Sequence, residues 1–181
     1  MTGRPLETEF APYYLTYTDR VKGDDVFGLI ERQLDEFPAL FAGISEEASL
    51  HRYAPGKWSI RQLLNHVTDT ERAFAFRALW FARGFEAPLP GFDQDTAAVG
   101  AGADHVSLAS HLEEFRSVRL ATISLFRNMP LDAWSRSGIA SGNPFSVRAI
   151  AFIAAGHAEH HAAILRERYL YQRKNPGGAS T

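Results

Sequence analysis

The sequence predicts an all-α protein, a four-helix bundle, and three observations lead to this fold class. Four long segments place apolar residues at helical spacing, capping and helix-stopping residues bracket them, and no segment alternates convincingly as a strand does. The chain has 181 residues, of which 45% are apolar, and this is enough for a substantial core. We therefore expect a single domain over residues 1–181, with a core at about 13–171 and a flexible tail at 172–181.

The first helix is predicted at about residues 24–41, where apolar side chains share one stripe. Pro38 should bend this helix or end it early, because proline removes a backbone donor. The second helix is predicted from Ser59 to about Arg83. Ser59 and Gln62 have the spacing of a capping box, and the glycine that follows Arg83 should stop the helix.

The third helix is predicted to start near Ser107 or Ser110, since serine is a favoured N-cap, and to end before Pro130. Apolar residues recur at helical spacing throughout this segment. The fourth helix is predicted from about Ser146 to Tyr171, and most of it is strongly apolar. A helix of that composition should lie in the core of the bundle.

The connections predict the order of the helices. About twenty residues, 85–104, join the second and third helices, which is more than adjacent antiparallel helices need. A crossover would let these two helices run parallel, so we expect an up-down-down-up bundle rather than a simple alternating one. The loops at 43–58 and 130–145 are also long. Such loops form either lids and pocket walls or structural packing.

Three histidines in the apolar fourth helix suggest a metal site. Residues four apart on a helix lie on the same face, so His157 and His161 can bind one cation together. The best third ligand is His66, on the inward stripe of the second helix. Three neutral imidazoles leave coordination positions open, which is typical of catalytic zinc, and imidazole also suits nickel, copper and iron.

The neighbours of these histidines have weaker claims. His160 should face an adjacent side of the helix, although it stays an alternative to His161 because residues three apart can also converge. Glu159 should point away from the metal, towards the surface or a second helix. Asp69 and Thr70 are placed to orient a ligand imidazole or a metal-bound water, and they are weak catalytic candidates. Either could instead form an ordinary hydrogen bond within the bundle.

Other residues have two interpretations each. Some loop aromatics are either pocket walls or, more simply, structural anchors: Trp58, Phe92, Trp134 and Phe145. Some arginines either bind an anionic substrate or, more simply, pair with carboxylates across the bundle: Arg72, Arg77 and Arg168. The remaining histidines outside the fourth helix lie in loops or near a helix start and are expected to be exposed: His51, His105 and His111.

Composition excludes several classes of function. The 19 basic and 21 acidic residues give a net charge of −2 without long runs of either sign, so an electrostatic nucleic-acid binder is not indicated. The sequence has no cysteine, which excludes disulfides, iron–sulfur clusters and a cysteine nucleophile. We see no signal peptide and no apolar run of the roughly 20 residues that span a bilayer. A cytoplasmic protein without a membrane partner is the default expectation.

Three segments together resemble the DinB/YfiT-like family. They are Tyr53-Ala54-Pro55-Gly56-Lys57-Trp58-Ser59-Ile60, Leu64-Asn65-His66-Val67-Thr68-Asp69-Thr70-Glu71-Arg72 and Ala155-Gly156-His157-Ala158-Glu159-His160-His161. The resemblance extends from about Tyr13 to Tyr169, and it implies an up-down-down-up four-helix bundle that is often a homodimer. It also implies a divalent metal, commonly nickel or zinc, bound by three histidines, which by position are His66, His157 and His161.

The resemblance leaves the reaction open, because the chemistry of such proteins is diverse. It includes S-transferases that use bacillithiol or mycothiol, a maleylpyruvate isomerase that uses mycothiol, and members with no assigned reaction. Our hypothesis is a divalent-metal-dependent enzyme acting on a small molecule, either an S-transferase that uses a low-molecular-weight thiol or a hydrolase. Since the chain lacks cysteine, the thiol must be external. The alternative is a non-catalytic, metal-binding or stress-associated bundle.

Overall fold

The computed structural model describes residues 3–170 and confirms a helical bundle. Within this range it contains six α-helices: α1 (Leu15–Thr18), α2 (Val26–Ala39), α3 (Ile60–Ala82), α4 (Gln94–Ala101), α5 (Leu108–Arg127) and α6 (Val147–Ile164). Two strands, β1 (Ser137–Ala140) and β2 (Asn143–Ser146), form a hairpin before α6. None of the described helices is long and apolar enough to cross a bilayer.

Three of the four long helices, α3, α5 and α6, begin directly after the serines at which the sequence predicted their starts. The side chain of Ser59 accepts a hydrogen bond from the backbone of Gln62, and Gln62 completes the capping box. Ser107 caps α5 and Ser146 caps α6 in the same manner. The helix α2 ends one residue after Pro38. Beyond Ile164 the last helix continues as a π-helical turn, Leu165–Leu170, and the predicted end at Tyr171 and the tail lie outside the described residues.

The helices α3 and α5 run parallel, as the long connection predicted. At the start of α3, Arg61 donates to the backbone oxygen of Asp104 over 2.9 Å, just before α5 begins. Further along both helices, Arg72 of α3 pairs with Glu114 of α5 at 2.7 Å. Both helices therefore start at the same end of the bundle.

The outer two helices run in the opposite direction. Beyond the end of α6, the hydroxyl of Tyr169 donates to the backbone oxygen of Trp58 at the start of α3, over 2.7 Å. Early in α2, Glu31 forms an ion pair with Arg127, the last residue of α5. These contacts make α6 antiparallel to α3 and α2 antiparallel to α5, which is the up-down-down-up order.

The hairpin corrects the prediction that the chain has no strands. Ala140 pairs with Asn143 across a two-residue turn, in which Ser141 has φ 52° and Gly142 has φ 74°. Such positive φ values suit the tight turn of a hairpin. In the sequence, the pair Ser141-Gly142 was the signal for a turn. The strands on either side were missed because each has only four residues, too few to show a clear alternation. The 85–104 connection also contains α4, and Leu89 of this connection bonds to the backbone of the hairpin.

A buried polar layer divides the apolar core in two. One apolar cluster includes the hairpin, α1 and the first part of α6, and the other includes the end of α2, the start of α3 and the last turn of α6. Between them lie buried polar side chains from all four long helices: Gln33, His66, Thr70, Glu71, Arg119, Thr122, His157 and His161. Buried polar groups need partners or a ligand, so this layer is where function is expected.

Candidate metal centre

Three histidines converge in the polar layer from two helices. His66 comes from α3, and His157 and His161 lie one turn apart on α6. The Nε2 atom of His157 is 3.1 Å from the Nε2 atoms of both His66 and His161. All three residues are at least 93% buried. Among the described residues they are the one cluster of ligand-type side chains whose ligating atoms lie within 4.8 Å of one another.

The spacing of these nitrogens fits a single cation. Imidazole nitrogens bind Zn²⁺ at about 2.0–2.1 Å, and tetrahedral angles then place two such nitrogens roughly 3.3 Å apart. The observed 3.1 Å requires only a small adjustment. Nitrogen donors also suit nickel, copper and iron, so the donor set alone does not select the metal.

Burial keeps the three imidazoles neutral, which is the form that binds metals. Loss of hydration, with a smaller contribution from the nearby His160, lowers the pKa of His66 to about 4. Burial, followed by the neighbouring histidines, lowers the pKa of His161 to about 2 and holds the pKa of His157 well below its ordinary value. At neutral pH protons therefore compete little with a cation for each Nε2 atom.

Of the two weak catalytic candidates, only Thr70 contacts the cluster. Its Oγ1 atom lies 3.3 Å from Nδ1 of His66, so the hydroxyl can accept a hydrogen bond from Nδ1–H in the tautomer that leaves Nε2 free for a metal. The carboxylate of Asp69 instead accepts a hydrogen bond from Arg72 at 2.9 Å and lies outside the cavity beside the histidines. Among the described residues, Asp69 thus contacts Arg72 and not the three histidines.

His160 faces away from the cluster, as its position on the helix predicted. Its ring packs edge-on against Tyr17, with 5.4 Å between the ring centroids. The same tyrosine contacts His157, and α1 comes this close because residue 156 is glycine. A β-carbon on Gly156 would overlap the backbone oxygen of Tyr17. The glycine in the histidine segment thus permits the approach of an aromatic wall.

Two cavities reach the histidines from different sides. The first, which we call the Arg77 cavity, has a volume of about 230 Å³ and is lined by residues that include His66, His157, Tyr13, Thr70, Arg77 and Ser141. The second, about 270 Å³, is lined by residues that include His161, Tyr53, Lys57, Trp58, Asp95 and Tyr169. A cation held by the three imidazoles would therefore have space for a further ligand.

The connection and the hairpin form part of the wall of the Arg77 cavity. Phe92, Asp93 and Gln94 line it from the connection, and Ser141 lines it from the hairpin. The loop at 130–145 thus contributes a pocket wall, as one interpretation predicted. Trp58 of the 43–58 loop packs its ring 4.7 Å from that of His66 and lines the second cavity.

The other loop aromatics are structural anchors. Trp134 stacks on Phe126 with 5.4 Å between the ring centroids, and Phe145 is buried in the core beside Tyr14. Neither residue lines a cavity at the histidines.

The outlying histidines include one wrong prediction. His51 and His105 are exposed, as expected, but His111 is only 2% exposed. Its Nε2 atom lies 2.9 Å from the backbone oxygen of Ala103, so a turn before α5 covers and binds the ring. The sequence could not show that this turn folds back over the first turns of α5.

A second polar group, which we call the charged cluster, lies behind the histidines. Arg119 is 2.8 Å from the carboxylate of Glu71 and donates to Gln33 at 2.7 Å. Gln33 in turn donates to Glu159 at 2.7 Å. The contact of Arg119 with Glu71 is an ion pair without good hydrogen-bond alignment. Glu159 thus faces a second helix and not the metal, as predicted.

Sequence reasoning missed the residues that reach the site from outside the four long helices. Tyr13, Tyr14 and Tyr17 line the Arg77 cavity from the N-terminal segment, and Ser141 lines it from the hairpin turn. The run of tyrosines was a visible signal. However, no local pattern indicates where a segment outside the bundle will pack.

The comparisons with known proteins agree with this architecture. The family model of the DinB superfamily matches residues 29–165. The structure of YfiT from Bacillus subtilis, described as a probable metal-dependent hydrolase with an unusual four-helix bundle topology, is similar with a TM-score of 0.68 and 13% identity. That alignment covers 97% of this chain and 94% of YfiT. At this identity the similarity shows the fold alone.

A second similar structure is that of the mycothiol-dependent maleylpyruvate isomerase, with a TM-score of 0.65 and 15% identity. The alignment covers 77% of this chain and 58% of the isomerase, so the chain spans little more than half the length of that protein. No curated protein matches the sequence significantly.

Proposed function

This chain belongs to the DinB superfamily, and on that premise we propose that it is a divalent-metal-dependent enzyme that transfers a group to a low-molecular-weight thiol. His66, His157 and His161 are the proposed metal ligands, with nickel or zinc as the expected metal. One observation carries the proposal: three buried, neutral imidazoles point their Nε2 atoms at one another beside two cavities.

Each part of the site has a distinct role in this proposal. A divalent cation at an open site supplies Lewis-acid chemistry, since it lowers the pKa of a thiol or water that it binds. The imidazoles hold the cation, and the hydroxyl of Thr70 fixes the orientation of His66. The rings of Tyr17 and Phe74 pack against His157 and exclude water from that side of the site.

The lining of the Arg77 cavity favours a thiol over water as the nucleophile. Hydrolysis usually needs a general base within hydrogen-bond reach of the attacking water. Asp93 is the one carboxylate among the described residues that line this cavity, and it is occupied as the N-cap of α4, where it accepts from Thr96 at 2.7 Å. A thiol has a lower pKa than water, so with a cation in this site it would lose its proton to solvent at neutral pH without such a base. Hydrolysis is the second candidate reaction, and a homodimer stays a prediction.

The first experiment measures bound metal in tag-free protein after mild dialysis. We expect about one divalent cation per chain in the wild type and its loss in His66→Ala and His157→Ala. His105→Ala, which changes an exposed histidine, is the matched control and should keep the metal. Metal retained by His157→Ala, or absent from wild type after reconstitution with nickel and zinc, would contradict the proposed ligands.

The second experiment separates the enzymatic proposal from a non-catalytic metal site. In cobalt-substituted protein, an added small thiol should change the visible spectrum, because an open coordination position accepts it. The same protein is then incubated with the thiol and a chlorinated aromatic, and separately with simple esters and amides. Turnover in the first panel supports transfer, and turnover only in the second supports hydrolysis. An unresponsive spectrum with no turnover would indicate a closed, non-catalytic site.

A further inference from the structure

One buried arginine in the bundle has no carboxylate partner. Three arginines in residues 3–170 are more than nine-tenths buried: Arg61, Arg77 and Arg119. Arg61 pairs with Glu46 at 2.6 Å, and Arg119 pairs with Glu71 at 2.8 Å. Arg77 is 94% buried and forms no ion pair with any described residue. A buried charge without a partner is costly, so its retention needs an explanation.

The protein uses only part of the guanidinium of Arg77. Its Nη2 atom donates to Oγ of Ser141 at 3.0 Å and, less closely, to the backbone oxygen of Pro90 at 3.4 Å. These contacts join the hairpin to the 85–104 connection. Nε and Nη1 have no acceptor among the described residues, and neither is sealed from solvent, in contrast to Nε of Arg119. Two of the three nitrogens are thus left to bind something else.

The guanidinium shares its cavity with two of the proposed metal ligands. Arg77 lines the same 230 Å³ space as His66 and His157, and it lies two helical turns beyond Thr70 on α3. The volume is small beside the roughly 300–1,000 Å³ of pockets for drug-sized ligands. Asp93, whose negative charge would compete for Arg77, is held by the N-terminal turn of α4. A small molecule can therefore contact Arg77 at one end and the histidine centre at the other.

We propose that Arg77 forms an anion-binding subsite that holds a carboxylate of the substrate. Its free N–H groups donate charge-assisted hydrogen bonds to the carboxylate, and Thr70 and the histidines lie beside the reacting end of the molecule. The substrate is then a small organic acid with an apolar or aromatic body, because Tyr14, Tyr17 and Phe74 also line this cavity. The role of the reacting end rests on the proposed function, whereas the binding of a carboxylate by Arg77 does not.

A carboxylate fits this subsite better than a phosphate. Arg77 is the one positively charged residue among the described residues that line the cavity, because burial keeps His66 and His157 neutral. A single positive charge balances a monoanion, whereas phosphate sites generally combine several basic groups or a helix N-terminus.

The test measures binding of benzoate, of its neutral isostere benzamide, and of inorganic phosphate by isothermal titration calorimetry. In wild-type protein we expect benzoate to bind at least about tenfold more tightly than benzamide and than phosphate, as a charge-assisted hydrogen bond implies. Equal binding of benzoate and benzamide would overturn the subsite without reference to any variant. Tighter binding of phosphate would overturn the assignment to a carboxylate.

Variants locate the binding on Arg77. Arg77→Gln should weaken benzoate at least about tenfold, and Arg77→Lys, which keeps the charge, should weaken it less. The matched control is Arg72→Gln, because Arg72 is a half-exposed arginine on the same helix that pairs with Asp69 and Glu114. That control should bind benzoate as the wild type does. Benzoate binding that is unchanged in Arg77→Gln would contradict the proposal.

Removal of metal separates this inference from the proposed metal site. If benzoate binds through Arg77, wild-type protein treated with a chelator should still bind it. If benzoate binds only as a ligand of the metal, treatment with a chelator should abolish its binding, which would overturn the subsite and leave the metal centre standing. A wild type that takes up no nickel or zinc on reconstitution but binds benzoate would contradict the metal centre and leave the subsite standing.

Discussion

Two buried polar regions of the bundle differ in how their charged groups are partnered. In the charged cluster, Arg119 and Glu71 compensate each other, and Gln33 links them to Glu159. On the other side, the three histidines contact one another, and the acceptors of Arg77 within residues 3–170 are neutral. Neither of the two cavities described at the histidines is lined by Arg119 or Glu71. We call the first the closed region, because its two opposite charges pair within the protein, and the second the open region, because its donors lie beside a cavity.

The partners of a buried arginine, and not its burial, distinguish the two regions. Arg119 is 1% exposed and Arg77 is 6% exposed, so the two arginines are almost equally removed from solvent. Their surroundings differ because, among the described residues, Arg119 has a carboxylate within 4 Å and Arg77 does not. A buried pair adds structural specificity, whereas a buried group without a partner beside a cavity indicates binding. Three predictions test this contrast.

The largest effect is expected from Glu71→Gln, which should break the closed region. The change leaves Arg119 buried without a counter-charge, and we expect the free energy of unfolding in urea to fall by about 3–5 kcal/mol. Glu114→Gln, which affects a half-exposed pair with Arg72, should cost less than about 1 kcal/mol. An equal loss in the free energy of unfolding in the two variants would show that the buried ion pair stabilises the fold no more than an exposed one.

The second prediction concerns pH and the open region, in protein stripped of metal. Burial lowers the pKa of His66 to about 4 and that of His161 to about 2, whereas an unfolded histidine has a pKa of about 6.5. Between these values the unfolded state binds more protons, so acid favours unfolding. Stability should be complete above about pH 6.5 and decline below it, by up to about 1.4 kcal/mol per pH unit for each histidine.

Urea unfolding at pH 7.5, 6 and 5 measures this decline. The variant His66→Asn should have a flatter profile, because it removes one of the groups that must gain a proton. His105→Asn changes an exposed histidine and should leave the profile unchanged. A stability that stays constant or rises from pH 7 to pH 5 would rule out neutral, buried imidazoles at this site.

The smallest effect is expected from Thr70→Val, which sharpens the account of the open region. Valine keeps the shape of threonine but removes the hydroxyl that lies 3.3 Å from Nδ1 of His66. Because the contact is long, metal affinity should fall by no more than about tenfold. Thr68→Val is the matched control, since the hydroxyl of Thr68 bonds only to the backbone oxygen of Leu64. A competition assay with a chelator that reports the metal should show no change for the control.

The sequence by itself determined what depends on neighbours within a helical turn. Ser59 and Gln62 located the start of α3, because a capping box involves residues three apart. The spacing of His157 and His161 placed both side chains on one face of α6. The position of Glu159 between them predicted that it faces another helix, where it contacts Gln33. His66 was selected by its inward stripe and by the resemblance of its segment.

Only the tertiary structure decided which distant groups meet. Arg77 and Arg119 look alike in the sequence, but one meets Ser141 of the hairpin and the other meets Gln33 of α2. His111 is buried because a preceding turn folds back to bind it. Local periodicity fixes the face of a helix on which a side chain lies. Whether that face meets a carboxylate, a neutral oxygen or a cavity depends on segments that are distant in the sequence, and only the packed chain brings these together.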